Sequence, residues 1–136
     1  MTYDVDRLGL PPLEYRPLPD ALPDPGEVVW TWIPYEDDPT RGKDRPAVVL
    51  ARLPEGLLVS QMTSQDHDRD ATDEARFGRY WIDVGAGPWD RRGRPSEARL
   101  DRMLVVQAAA VRRVGGALAE NRYHELVDAL TAHHAH

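Results

Sequence analysis

Short stretches of β-branched and aromatic residues, with side chains that would alternate between two faces, run through this chain and predict β-strands. In the first stretch, EVVWTWI, one face would carry Val28, Trp30 and Trp32, and the other Val29, Thr31 and Ile33. A PEG turn at residues 54–56 would join the second and third stretches into a hairpin. The predicted strands are residues 27–33, 45–52, 57–63, 79–84 and 103–111.

Only one segment has the helical period. In AENRYHELVDALTA, apolar residues recur at i, i+3, i+4 and i+7, namely Tyr123, Leu126, Val127 and Leu130. Five short strands and one helix predict a mainly β fold, a small partly open barrel with the C-terminal helix as its lid.

The remaining segments set the domain boundaries. Residues 1–25 hold six of the twelve prolines and show no sustained period, which predicts an N-terminal arm. This arm would either wrap the domain or stay mobile. The barrel domain would span residues 26–132, and a His-containing tail, residues 133–136, would be frayed. The contacts of a wrapped arm would come from Leu8, Leu10, Leu13 and Tyr15.

Composition narrows the class of protein. A chain of 136 residues is the size of one domain, and its lack of cysteine excludes disulfides and thiolate chemistry. No apolar run approaches the length of a membrane span, and the first residues do not resemble a signal peptide. We therefore expect a cytoplasmic protein with no membrane partner.

The charges are unevenly distributed along this acidic chain. The formal net charge of −6 argues against a protein that holds nucleic acid by bulk positive charge. Residues 89–102 nevertheless hold five arginines, which is typical of a solvated basic face and also fits a phosphate-binding track. These arginines are Arg91, Arg92, Arg94, Arg99 and Arg102.

The candidate chemistry starts at Arg45. Pro46 locks its own backbone and holds Arg45 extended where a loop becomes a strand. Thr63 and Ser64 end the next strand, so the hairpin can place them at the same rim as Arg45. A guanidinium beside hydroxyls binds a phosphate diester well, and His67 in the following loop would add a group that moves a proton. The simpler alternatives are an Arg45 paired with Asp44 and a solvated His67.

Metal binding is the weaker interpretation of the histidines and acids. Asp66, His67, Asp68 and Asp70 would converge on an ion only if their loop curled, because alternate residues of an extended segment point apart. The HHAH tail could chelate a metal by composition alone. We predict neither a metal nor a cofactor.

Three segments in order carry a family resemblance. PGEVVWTWIPYEDDPTRGKDRPAVVLAR has a Gly-acid-Val-Val-Trp strand, a proline-containing loop and Arg-Pro before a β-branched strand. LLVSQMTS ends in hydroxyl residues, and LDRMLVVQ precedes the apolar-striped helix. Over about residues 25–131 the chain resembles the MazF/PemK family of toxin endoribonucleases.

This resemblance implies an SH3-like barrel that forms a homodimer and cuts single-stranded RNA, such as mRNA, without a metal. The RNA 2′-hydroxyl would attack the adjacent phosphate and leave 2′,3′-cyclic phosphate and 5′-hydroxyl ends. Carried over to this chain, Arg45 would stabilise the phosphate charge and help protonate the leaving oxygen, and Thr63 would position the scissile phosphate. A cognate antitoxin peptide would neutralise the protein by occupying the RNA groove.

The chain also departs from the family pattern. The loop after Gly42 is shorter than in many members, and Gln107-Ala108-Ala109 stands where many have Gln-Ile-Arg. TSQDHDRD and GPWDRRGRPSEARLDR resemble a subfamily elaboration. That elaboration adds further candidates for catalysis or RNA binding, which are Ser64, His67, Trp89, Arg94 and Arg99.

Two alternatives to RNA cleavage remain open. The acidic pI and the missing arginine on the last strand suggest a catalytically inactive SH3-like barrel that binds protein or nucleic acid. A metal-dependent hydrolase that uses residues 66–70 is the more distant alternative. Trp89 would either anchor its loop or stack on a base.

Overall fold

One antiparallel sheet of six strands dominates the computed structural model, which describes residues 2–15, 23–64 and 80–135. The strand order is β4–β5–β3–β2–β1–β6, and the sheet curls into a half-open barrel with a C-terminal helix. The strands are β1 Glu27–Pro34, β2 Gly42–Leu53, β3 Gly56–Thr63, β4 Trp81–Gly85, β5 Ser96–Val106 and β6 Arg113–Ala117. The helices are α1 Val5–Leu8 and α2 Glu120–His133, and a 3₁₀ turn covers Ala108–Ala110.

The two faces of the sheet carry separate apolar clusters because neighbouring strand residues point to opposite sides. Val28 of β1 belongs to the larger cluster, and Val29 and Ile33 belong to the smaller one, as their alternation predicts. The larger cluster packs against α2. Of the predicted stripe, Tyr123, Leu126 and Leu130 are fully buried and Val127 is partly buried.

Tyr123 also links the helix to the sheet by a hydrogen bond. Its hydroxyl donates to the Leu50 backbone oxygen at 2.9 Å. Burial, followed by the nearby charge of Glu14, raises the pKa of Tyr123 to about 12. The phenol is therefore neutral and remains a donor over the whole physiological pH range.

The mainly β class and the partly open barrel are confirmed, but the sheet has six strands where we expected about five. The missed strand, β6, reads RVGGA, and its glycines hide any alternating pattern. It forms because its backbone pairs with the edge of β1, a contact between distant parts of the chain. In addition, β5 begins at Ser96, within a predicted loop, and carries a bulge between its pairs with Ser60 and Met62.

The N-terminal arm packs against the larger cluster over the residues described. The Tyr3 backbone nitrogen donates to the Met103 oxygen at 2.8 Å, and the Tyr15 hydroxyl donates to the Leu118 oxygen at 2.7 Å. The Tyr15 ring lies 5.4 Å from the ring of Tyr123. Of the four residues expected to make contacts, Leu8 is different: it lies in α1 and is 53% exposed. Of the two expectations for this arm, residues 2–15 follow the wrapped one.

The start of the predicted tail is also packed. His133 is the last residue of α2, and its ring lies 4.8 Å from the ring of Tyr80. A ring nitrogen of His134 donates to the Leu100 backbone oxygen at 2.7 Å. The expectation of a frayed tail is therefore wrong for these two residues, because each side chain packs against the sheet.

Replacing Tyr15 with alanine tests whether the arm stabilises the domain. Tyr15→Ala removes a hydrogen bond and a ring packed on the core, so we expect it to lower the free energy of unfolding by about 2 kcal/mol. Leu8→Ala, on the same arm, should change that energy by less than about 0.5 kcal/mol because Leu8 is exposed. Urea denaturation measures both values. Equal stability of the two variants would show that the arm contributes nothing.

Candidate functional site

The candidate site lies where β2 and β3 run beyond the last pair of their ladder. That ladder pairs Val48 with Ser60 and Ala47 with Gln61. Continued by two residues without a shift, the same register sets Arg45 opposite Thr63. Side chains that are opposite each other on antiparallel strands share one face of the sheet. The register of the hairpin therefore supports the prediction that the two main candidates lie at the same rim.

Arg45 keeps its charge available at this rim. It is half-buried, and within residues 2–15, 23–64 and 80–135 its guanidinium forms no hydrogen bond and no ion pair. The expected alternative, a pair between Arg45 and Asp44, does not form. The Asp44 carboxylate instead accepts a hydrogen bond from Arg112, which follows the 3₁₀ turn.

A cavity of about 550 Å³ opens beside Arg45. Its lining includes both neighbours of Arg45, Asp44 and Pro46, but not Arg45 itself, because alternate residues of β2 point to opposite faces of the sheet. Thr63 and Ser64 bring two hydroxyl residues to its wall. The complete lining is Trp30, Lys43, Asp44, Pro46, Thr63, Ser64, Trp89, Asp90, Arg91, Arg92, Arg94 and Ser96.

Trp89 forms part of this wall, but its ring is an anchor. The side chain is 3% exposed, and its indole nitrogen donates to the Ser96 hydroxyl at 3.0 Å. Because the ring is packed on both faces and hydrogen-bonded at its polar edge, a base cannot stack on it. The structure therefore favours the loop-anchor interpretation of Trp89.

Arg94 also lines the cavity, but its guanidinium is engaged within its own loop. Its Nε donates to the Asp90 carboxylate at 2.8 Å. This hydrogen bond, aided by one from the Arg92 backbone nitrogen, holds the pKa of Asp90 below its usual range. The role of Arg94 that follows from these contacts is to shape the loop.

Arg99 does not join the other candidates. It is 3% exposed, and its guanidinium pairs with Asp101 at 2.7 Å and with Glu36. Burial lowers the pKa of Arg99, but the hydrogen bonds and charges of these two acids together outweigh burial and raise it. Arg99 therefore fastens the β1–β2 loop to β5 and has no free face for a ligand.

Arg102 reinforces this connection. Its Nη2 donates to the Pro34 oxygen at 3.1 Å, and its Nη1 donates to the Gln61 side chain at 3.4 Å. A second cavity, of about 650 Å³, adjoins this cluster and contains no residue predicted for catalysis. Its lining is Thr2, Trp32, Pro34, Tyr35, Glu36, Pro39, Asp101 and Arg102.

Two predictions cannot be placed. His67 and the acids Asp66, Asp68 and Asp70 lie outside the described residues. Among the residues that are described, no group of three acids or histidines could hold a metal ion. The same residues include no helix with the length and apolarity that crossing a membrane requires.

Sequence reasoning missed three cations as candidates. Lys43, Arg91 and Arg92 all line the cavity, together with Thr63. The arginine-rich stretch drew attention to the right segment, but its residues resembled a solvated face. Only the contacts of the folded chain separate these arginines from Arg99 and Arg102, which are paired within the fold.

Asp101→Ala tests the structural role of Arg99. The substitution leaves a buried guanidinium with one of its two acids, so we expect the free energy of unfolding to fall by roughly 3 kcal/mol. Glu125→Ala, which removes the exposed partner of Arg122, should cost less than about 1 kcal/mol. Arg99→Met should cost less than Asp101→Ala because it removes the buried charge itself. Chemical denaturation gives all three values, and a harmless Asp101→Ala would contradict this assignment.

Comparison with known proteins identifies the family of the chain. No curated protein matches the chain. A family model described as PemK-like, MazF-like toxin of type II toxin-antitoxin system matches residues 24–134, which include every element from β1 to α2. Together with the half-open barrel and the C-terminal helix, this match shows that the chain belongs to the PemK-like, MazF-like family of type II toxins.

Proposed function

We propose that this protein is an endoribonuclease toxin that cleaves single-stranded RNA by metal-independent transesterification. The observation that carries the proposal is the pair of residues at one rim of the β2–β3 hairpin. Arg45, with no partner among the described residues, stands across the hairpin from Thr63, and the family to which the chain belongs is one of toxins. These are the groups that a phosphate diester requires, a fixed cation and a hydroxyl.

In the proposed reaction the RNA 2′-hydroxyl attacks the adjacent phosphorus, and the bond from phosphorus to the 5′ oxygen breaks. The attacking hydroxyl loses its proton and the leaving oxygen gains one, which yields a 2′,3′-cyclic phosphate and a 5′-hydroxyl. Because the nucleophile belongs to the substrate, the reaction does not need a metal to activate a water molecule.

Arg45 and Thr63 have separate tasks in this mechanism. Negative charge accumulates on the phosphate oxygens in the transition state, and a guanidinium aimed at them stabilises that charge. The same guanidinium would help to protonate the leaving oxygen. The Thr63 hydroxyl would donate to a non-bridging oxygen and fix the orientation of the phosphate. Pro46 supports both tasks, because it restricts the backbone of the residue before it.

The proposal includes the partners of the protein. Membership of a type II toxin family supports a cognate antitoxin, and we propose that it is a peptide that covers the RNA site. Messenger RNA would be the cellular substrate, in the cytoplasm. The active form would be a homodimer.

Cleavage by Arg45→Ala and Thr63→Ala variants tests the proposal. We expect the wild type to cut a long single-stranded RNA in EDTA at discrete positions, with 5′-hydroxyl ends. Each alanine variant should cleave RNA more slowly than the wild type by a factor of about 10²–10³, which is the usual effect of losing one transition-state contact. Thr63→Ser keeps the hydroxyl and should retain activity. Arg7→Ala, which removes an exposed cation of the arm, is the control for charge and should cut normally.

Other outcomes point to other functions. Full activity in both alanine variants would contradict the site assignment. Cleavage by the wild type that stops in EDTA would indicate a metal-dependent hydrolase. Binding of RNA without any cleavage, over several RNAs, would instead support a catalytically inactive barrel.

A further inference from the structure

The loop between β4 and β5, residues 86–95, is a compact basic structure that we call the arginine loop. It folds around Asp90, whose carboxylate accepts from the Arg92 backbone nitrogen at 3.0 Å. The Asp90 backbone oxygen accepts from the Gly93 nitrogen at 2.9 Å. Arg91 and Arg92 lie in the turn that these two bonds close, and both are exposed. The loop thus presents two adjacent guanidinium groups on a folded turn.

This loop is seated on β6. A Cβ added to Gly115 would lie 3.0 Å from Cβ of Trp89, and one added to Gly116 would lie 2.7 Å from Cγ of Pro88. Real Cβ atoms almost never approach as closely as the contact at Gly116, and the contact at Gly115 is tighter than most, so the glycine pair allows the loop to rest directly on the strand. Buried Trp89 then holds the loop from the inside. The position of Arg91 and Arg92 is therefore set by the sheet.

The charges around the cavity leave a local positive surplus. Arg94 neutralises Asp90, and Arg112 neutralises Asp44, so both acids of the lining are paired. By contrast, in the part of the chain that the structure describes, Lys43, Arg91 and Arg92 form no ion pair. Three unpaired cations therefore share one cavity with Thr63. An anion of some length is the ligand that this arrangement fits.

We infer that the arginine loop is a phosphate clamp, in which Arg91 and Arg92 hold backbone phosphates of single-stranded RNA next to the phosphate at Thr63. The inference rests on the proposed function, which identifies the bound anion as RNA. An RNA held at Thr63 continues into the cavity that these arginines line. A guanidinium matches the planar pair of phosphate oxygens, and adjacent arginines suit a chain with one charge per nucleotide. Lys43, which lies on β2, would be a third cation in contact with the same RNA.

RNA fits this cavity better than an acidic peptide does. Carboxylates also bind guanidinium groups and hydroxyls, so the preference for RNA rests on the proposed function and on the apolar surface beside the cations. Trp30 and Pro46 add apolar surface of the kind against which bases pack.

The test measures RNA binding separately from cleavage. The probe is a fluorescent single-stranded RNA with 2′-O-methyl groups throughout, which lacks the nucleophile and cannot be cut by the proposed reaction. Its dissociation constant is measured by fluorescence anisotropy over a range of salt concentrations. The proteins are wild type, the double variant Arg91→Ala/Arg92→Ala, and the matched control Arg7→Ala/Arg122→Ala. Both doubles remove two positive charges, and the control arginines lie outside the cavity lining.

The clamp predicts a specific change in salt dependence. Each phosphate contact to single-stranded nucleic acid contributes about 0.7 to the slope of log K against log salt, so the Arg91/Arg92 double should lose about 1.4 from that slope. Its affinity at low salt should fall by about tenfold or more. The control should keep the wild-type slope. Circular dichroism verifies that each variant is folded.

Three results would overturn the clamp. A wild-type slope in the Arg91/Arg92 double would show that these arginines contact no phosphate. An equal loss in the control would show that only net charge matters. Normal RNA binding with weakened binding of a polyglutamate peptide would assign the loop to an acidic protein partner. A wild type that binds the probe but never cuts unmodified RNA would instead contradict the proposed function. The clamp would still be supported if the salt slope of the Arg91/Arg92 double variant falls.

Discussion

The pairing register of β2 with β3 holds the core and the candidate site in place together. In this register Ala47 and Val49 enter the smaller apolar cluster with Val59 of the partner strand. The same register, continued to the rim, sets Arg45 opposite Thr63. Because side chains alternate along a strand, a slip of one residue would expose the apolar set and move Arg45 to the other face. The burial of the core therefore stabilises the geometry of the site.

The arginines of this acidic protein divide by what surrounds them. Arg99 is held by Glu36 of the β1–β2 loop and Asp101 of β5. Arg102 is held by the Pro34 oxygen at the end of β1 and by the Gln61 side chain of β3, so both arginines serve the fold. Arg94 serves its own loop through Asp90. Only the arginines that have no partner in the described structure carry a guanidinium charge that a ligand can pair with. A net charge of −6 does not prevent this, because salt screens exposed charges beyond roughly 10 Å.

The arm and the arginine loop attach to the barrel by different means. The arm is held by apolar packing and by the Tyr15 hydrogen bond to Leu118, on the face covered by α2. The loop rests on the glycines of β6, at the far edge of the sheet from β4. No described residue of the arm lines the cavity of Thr63. In the described part of the chain, the arginine loop thus forms one wall of that cavity, and the arm lies away from it.

The sequence by itself determined most of the local elements, and it predicts that Arg45 and Thr63 lie at one rim. Period-two alternation, a helical stripe and a short turn act over a few residues, so they can be recognised in the chain directly. Tertiary structure alone decided β6, the extension of β5 to Ser96 and the partner of each arginine. Arg99 meets Glu36 across 63 positions, and Arg112 meets Asp44 across 68. Such pairs depend on how the sheet closes, a property that no local pattern encodes. This is why a basic stretch that looked uniform separates into arginines paired within the fold and arginines exposed at a cavity.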